Sequence, residues 1–215
     1  MKTLIDEETI KKRVTEIAKL ISAEFNGQPL TVVGVLTGAL IFVSDLVRHL
    51  NLPVRICFVR ASSYRGETTV PGDLNIDSSM LPDIQGRNIL LVDDILDSGH
   101  TLSKLTSYLK EKGCKNIRTA VLLRKIGRQE HPIEPDYCGF EIPDKFVVGY
   151  GLDYNDEYRN LPFIGDFSPP SNAFTLRNKA FTSLDRVGLP RLEGSSWFAT
   201  HLSSLYVMKW LIAFL

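Results

Sequence analysis

Cysteine is scarce in this sequence, and the three present, Cys57, Cys114 and Cys138, stand far apart with no metal-ligand spacing. An odd, sparse set of this kind argues against a disulfide framework and fits a reducing compartment. An excess of charge of either sign is also missing. Lys plus Arg and Asp plus Glu each number 25, which removes the overall basic field that nucleic-acid binding exploits. No Gly-Lys-Ser or Gly-Lys-Thr occurs, so a Walker phosphate loop is ruled out. The N-terminal "MKTLIDEETIKKR" turns acidic at once and has no apolar core of a secretory signal. The expectation is a cytoplasmic protein that binds no nucleic acid and whose core needs no membrane.

What is present is an alternation of periods. Ile10, Val14, Ile17, Ala18 and Ile21 recur at helical spacing between Asp6, a cap, and Asn26-Gly27, a stop. "TVVGVL" (31–36) is a short apolar run of the kind buried on both faces of a sheet. A helix marked by Phe42, Val43, Leu46, Val47 and Leu50 follows, then a strand over 54–59. "NILLV" (88–92), a helix from about Ser98 to Gly113, and "IRTAVLL" (117–123) continue the pattern, and "KFVVGY" (145–150) predicts one more strand. Such alternation implies an α/β fold, a parallel twisted sheet flanked by helices. Two regions break it. Residues 61–86 are rich in Ser, Gly, Thr and Pro, the composition of a long lid or binding loop. After Phe167 the alternation stops.

The densest chemistry lies in "ILLVDDILDSGHTL", Ile89 to Leu102, where Asp93, Asp94 and Asp97 follow an apolar strand. In a parallel sheet, ligands bind beyond the carboxyl ends of the strands. Ser98-Gly99-His100-Thr101 opens the next helix, and the free N–H groups of a helix's first turn bind phosphate. An acid pair beside a phosphate cradle suits a sugar phosphate, whose vicinal hydroxyls donate to the carboxylates. Magnesium would neutralise remaining charge. Read alone, Asp-Ser-Gly after a strand is also an ordinary turn and helix N-cap. The acidic pocket of receiver domains is a further comparison, but there the pair sits on the first strand, whereas here a complete strand-helix-strand unit precedes it.

"VDDILDSGHTL" resembles the phosphoribosyl pyrophosphate motif of type I phosphoribosyltransferases. "GVLTGALIF", "RASSYRG", "LLRK" and "PDYCGFEIPDKFVVGYGLDYNDEYRNLPFIG" narrow the resemblance to the hypoxanthine-guanine phosphoribosyltransferase family, in that family's order, as far as Gly165. It implies the type I fold with a small hood and a lid loop. It also implies purine salvage: transfer of the 5-phosphoribosyl group from phosphoribosyl pyrophosphate to a 6-oxopurine, giving the nucleotide and pyrophosphate, with Mg2+. Relatives form homodimers and homotetramers. A regulatory or RNA-binding protein on the same fold is the competing reading, disfavoured by the charge balance and by Asp97, Lys125, Phe146 and Asp153 occurring together.

The resemblance assigns roles to individual residues. Asp93 and Asp94 would hold the ribose hydroxyls, with Ile95 and Leu96 alongside, and Asp97, Ser98, Gly99, His100 and Thr101 would cradle the 5′-phosphate. Asp97 would also exchange a proton with the purine N7. Lys125 would donate to the exocyclic oxygen; an ammonium only donates, so it favours a 6-oxo over a 6-amino group. Phe146 would stack on the base while Val147 bonds its edge through backbone. Asp153, with Asp93 and Asp94, would contact magnesium, and Arg159 the pyrophosphate, for which a planar guanidinium is suited. Leu36, Thr37 and Gly38 match the pyrophosphate loop, with the Leu36–Thr37 peptide expected to be cis. The family's animal members carry lysine where Thr37 stands, so backbone donors would serve there. Arg60, Ser63 and Tyr64 belong to the segment leading into the lid, which would close over the reacting centre and exclude water.

The expected division is a catalytic domain over 1–167 and an extension over 168–215. Ser168-Pro169-Pro170-Ser171 reads as a break, and the closing "WFATHLSSLYVMKWLIAFL" is apolar but carries His201, Lys209 and several hydroxyls. A spanning helix needs about 20 mostly apolar residues, which this stretch barely reaches. A short amphipathic helix and the product of a shifted reading frame are the other readings.

Overall fold

A computed structural model describes residues 1–63 and 74–167. Its main sheet has the strand order β4-β3-β2-β5-β6-β7. These are β2 (Leu30–Leu36), β3 (Val54–Ser63), β4 (Leu74–Asp77), β5 (Asn88–Leu96), β6 (Asn116–Lys125) and β7 (Tyr137–Ile142). All neighbours run parallel except β4, which turns back antiparallel on the end of β3, with Ser63 opposite Leu74.

The apolar runs alternate between two cores, as strands covered on both faces must. From β5, Leu90 and Val92 face one side, where α1 (Glu7–Phe25) and α2 (Leu40–His49) contribute Ile10, Ile17, Ile21, Phe42 and Leu46. Ile89 and Leu91 face the other, against Leu102, Leu105 and Leu109 of α3 (His100–Glu111). The caps of α1 are those anticipated: Asp6 Oδ1 accepts from the Thr9 N–H at 2.8 Å, and Asn26 ends the helix in the left-handed region. At the sheet edge, the Arg13 guanidinium of α1 donates to the Cys138 and Gly139 carbonyls of β7.

Strand order reverses between β2, which leads outward to β3, and β5, which leads to β6 and β7. A crevice therefore opens between the carboxyl ends of β2 and β5, the position at which open α/β sheets bind ligands. Pairing of these two strands ends at Gly34 opposite Val92, while β5 continues alongside β6 to Leu96 opposite Arg124.

Three expectations change. Residues 145–150 do not extend the main sheet. Only Val147–Val148 (β8) is strand, and it pairs with β9 (Ile164–Asp166), which pairs in turn with β1 (Lys2–Ile5), in a separate antiparallel sheet. This is the small hood. The main sheet's edge is instead β7, whose "YCGFEI" lacks a long apolar run because it is a half-covered edge. The segment 61–86 is not wholly irregular: β3 runs on to Ser63, and β4 lies within it. Tyr64, the Ser63 side chain and the extension from residue 168 lie outside the described residues.

Candidate active site

The crevice is a cavity of about 330 Å3 at the β2–β5 divide. Its walls include Leu36, Thr37 and Gly38 from the β2–α2 loop, Asp93 to Gly99 and Thr101 from β5 and the turn into α3, and Asp153 and Arg159 from the hood's loop. Among the described residues, Arg60, His100, Lys125, Phe146 and Val147 are not in these walls. Arg60 is exposed on β3 opposite Leu36. The other four are described below.

β5 carries the acid pair as part of the strand itself, so both carboxyls are delivered by a rigid element with its backbone hydrogen bonds made. The Asp94 N–H donates to Asp93 Oδ1 at 3.0 Å, and the Ile95 N–H to Asp94 Oδ1 at 2.8 Å. Burial, then the charge of Asp94, pushes the Asp93 carboxyl well above its usual range, and burial raises Asp94 against the pull of hydrogen bonds and Arg159. Two acids in this condition call for donors or positive charge.

The loop facing them is cut to fit. The Leu36–Thr37 peptide is cis, as the resemblance implies. A Cβ on Gly38 would lie 1.6 Å from Asp94 Oδ2, so any side chain at 38 would displace the carboxylate. At the turn into α3, Gly99 has φ +84°, and a Cβ there would meet the His131 carbonyl at 3.0 Å.

Asp97, just beyond β5, is held by two cations. Lys125 Nζ donates to Oδ2 at 3.1 Å and Arg128 Nε to Oδ1 at 3.0 Å, and both cations also face Asp144. Burial works to raise the Asp97 carboxyl, but the hydrogen bonds and charges of Lys125 and Arg128 outweigh it and hold it below the usual carboxylate range. Arg128 was not foreseen; it sits in the irregular β6–β7 connection and matches no quoted motif.

Phe146 is half exposed and lies before β8. Tyr154 meets it edge-on at 5.7 Å, Phe167 packs at 6.1 Å, and the Phe167 N–H donates to the Phe146 carbonyl at 2.9 Å. The Phe146 ring is thereby braced by two aromatic neighbours while half of its surface stays in solvent. Val147 beside it is buried. Arg159 pairs with Asp153 at 2.8 Å and donates to the Gly151 carbonyl at 2.7 Å, which fixes both side chains against the cavity.

Among the described residues, no three acidic, histidine or cysteine side chains are arranged to cage a metal ion. Magnesium does not need that, being held by one or two carboxylates with substrate oxygens and water completing the shell. The buried pair, short of positive charge, fits such a role.

A parallel sheet with an acid pair and a phosphate-type turn at its switch point defines a phosphoribosyl transferase, and the family model "Phosphoribosyl transferase domain" matches residues 2–155. Within that class the chain belongs to the hypoxanthine-guanine phosphoribosyltransferase family. It is 41% identical over 168 residues to the Bacillus subtilis hypoxanthine-guanine phosphoribosyltransferase, covering 78% of this chain and 93% of the relative. The Staphylococcus aureus enzyme of the same name is 38% identical over 166 residues, with 77% and 93% covered. A crystal structure of a Bacillus anthracis hypoxanthine-guanine phosphoribosyltransferase superposes with a TM-score of 0.74 at 39% identity, covering 78% of this chain and 99% of the other. The chain is thus a pentosyltransferase of purine salvage.

The acid pair generates a stability prediction. With a raised folded-state pKa, native Asp93 binds more protons than in the unfolded chain, so stability falls as pH rises through the interval between the two values. Asp93→Asn, neutral throughout, should melt at a higher temperature than the parent at neutral pH while turnover falls. A lower melting temperature there would show that the buried charge is already compensated.

Proposed function

We propose that the cavity transfers the 5-phosphoribosyl group of phosphoribosyl pyrophosphate to a 6-oxopurine, hypoxanthine or guanine, releasing IMP or GMP and pyrophosphate. The observation that carries this reading is the convergence on one cavity of the Asp93–Asp94 pair, the Asp97–Thr101 turn and the Asp153–Arg159 pair. Asp93 and Asp94 accept hydrogen bonds from the ribose hydroxyls, which relieves their mutual repulsion. Ser98, Gly99 and Thr101 bind the 5′-phosphate through backbone and hydroxyl donors. The Leu36–Gly38 loop and Arg159 receive pyrophosphate. Phe146 presents its open face to the base, and the Val147 backbone bonds its edge.

Asp97 handles the proton. Lys125 turns from its carboxylate to the purine oxygen, and Asp97, still paired with Arg128, exchanges a proton at N7 as N9 attacks the anomeric carbon. Asp153 or the Asp93–Asp94 pair would hold magnesium together with substrate oxygens and water, and the ion would supply positive charge to the departing pyrophosphate. The protein would act in the cytoplasm as a homodimer or homotetramer; no described helix is long and apolar enough to cross a membrane.

The direct test is turnover with phosphoribosyl pyrophosphate, magnesium and single bases. Hypoxanthine or guanine should be consumed and adenine barely, since Lys125 can only donate. Lys125→Ala should chiefly raise the KM for the base. Efficient use of adenine by the parent would remove the assignment of Lys125.

Asp97→Asn should lower turnover by about 10²–10⁴-fold with phosphoribosyl pyrophosphate still bound, the usual contribution of a positioned proton carrier. A variant turning over at the parental rate would take Asp97 out of the mechanism.

The division at Phe167 is also proposed to be functional. The relatives above are covered nearly end to end by 78% of this chain or less, which leaves the extension without a counterpart in them. A related Trypanosoma cruzi hypoxanthine phosphoribosyl transferase structure, TM-score 0.75 at 35% identity with 83% of this chain and 96% of that one covered, concerns the role of its C-terminal region in oligomeric state and activity. A chain ending at Phe167 should fold and keep transferase activity, and aggregate less than the full chain. Loss of either on truncation would assign the extension to the core or to a subunit interface.

A further inference from the structure

The turn that binds the 5′-phosphate in the proposed reaction is backed by a second segment, the connection between β6 and β7. The N–H groups of Glu130 and His131 both donate to the Ser98 carbonyl, at 2.9 and 3.0 Å. Gln129 Nε2 donates to the Lys125 carbonyl at 2.5 Å and reaches the Asp97 carbonyl at 3.4 Å. His100 Nδ1 and His131 Nε2 lie 3.2 Å apart, within hydrogen-bond distance, one ring nitrogen donating to the other. His100 Nε2 is buried and has no partner among the described residues, so His131 is the ring's one side-chain hydrogen-bond contact there.

The consequence follows from peptide geometry. In a trans peptide the C=O and N–H point in opposite directions across one plane. With its C=O aimed at Glu130 and His131, the Ser98–Gly99 peptide must aim the Gly99 N–H away from them, toward the cavity that Ser98, Gly99 and Thr101 line. The Asp97 carbonyl, turned toward Gln129, sets the Ser98 N–H in the same sense. Among the described residues neither N–H has a backbone acceptor. Two phosphate donors are therefore oriented from behind, by residues that line no part of the cavity.

We infer that His131, by clamping His100 and carrying the β6–β7 connection against Ser98, is a positioning residue that presets the phosphate cradle. This rests on the proposed function. Removing the ring contact leaves the two peptide planes held by the Glu130 and His131 N–H groups and the long Gln129 contact of an irregular segment, and the donors lose alignment. Pyrophosphate binding, at Arg159 and the Leu36–Gly38 loop, should be untouched.

The test uses the full chain and two competitive inhibitors, ribose 5-phosphate as probe of the cradle and pyrophosphate as control. In His131→Ala the inhibition constant for ribose 5-phosphate and the KM for phosphoribosyl pyrophosphate should rise about tenfold, the loss of roughly one well-formed hydrogen bond. The constants for pyrophosphate and for the purine should stay within twofold. His131→Gln, whose amide sits where Nε2 does, should restore most of the loss. Should His131→Ala lose its melting transition, His131→Leu keeps the volume without the bond. Unchanged ribose 5-phosphate inhibition, or an equal rise for both inhibitors, overturns the inference while leaving the proposed reaction standing. A parent enzyme that does not turn over phosphoribosyl pyrophosphate with a 6-oxopurine would overturn both.

Discussion

Two adjacent carboxyl groups at the end of a central strand, Asp93 buried and Asp94 half-buried, are the constraint around which this molecule is arranged. An ionised carboxylate out of water is costly, and two in contact more so, unless charge or donors offset it. The chain meets that cost with position. Up to Val92, β5 is flanked on both sides by parallel strands, and beyond it β6 alone runs alongside, so the pair sits at the end of a strand fixed from below. Beneath it, Ile89 through Val92 are wholly buried, anchoring the strand in both cores. The unfavourable site is carried by a central strand of the fold, and in the proposed reaction the ribose hydroxyls would supply the donors the pair calls for.

Asp97 obeys a different logic. It lies beyond the last β5 residue, partly exposed, and faces a balanced set of two acids and two cations: itself, Asp144, Lys125 and Arg128. Ion pairs this close to solvent are individually weak, which permits exchange of partners. A purine oxygen that drew Lys125 would leave Asp97 with Arg128 alone and so less depressed, a better proton carrier than the fully paired carboxylate. The mobile chemistry sits where charges are cheap to rearrange, and the fixed recognition sits where they are not.

The sequence carried β2, β3, β5, β6 and the three helices because they bury apolar faces at regular periods, but not the short β4 or the half-covered edge strand β7. It carried β5 only as far as Val92, because Asp93 and Asp94 interrupt the hydrophobic signal inside a strand that continues. The strands of the hood, implied only by the resemblance, were hidden for a related reason: β1, β8 and β9 are two to four residues long, too short to show a period, and β1 meets β9 across more than 150 positions. Asp93, Asp94, Asp97 and Lys125 were legible through motif resemblance. Arg128, Gln129 and His131 were not, since a connection without periodicity gives no hint of which carbonyl its N–H groups meet. That information exists only in the tertiary structure.

Gly38 shows how far such packing reaches. Its missing side chain admits Asp94 from one side, and on the other a Cβ at Gly151 would lie 2.1 Å from the Gly38 carbonyl. Three backbone segments, from the end of β2, the end of β5 and the hood's loop, thus meet with almost no side chain between them. Arg159 closes the stack through the Gly151 carbonyl and Asp153. In such an arrangement no member can be adjusted alone: a methyl group at 38 presses on Asp94, and one at 151 presses on the loop that holds 38. The hood is therefore coupled to the acid pair by contact, in addition to the charge of Arg159. In the proposed reaction, the groups for the ribose and pyrophosphate ends of the substrate would thus be held in register before it binds.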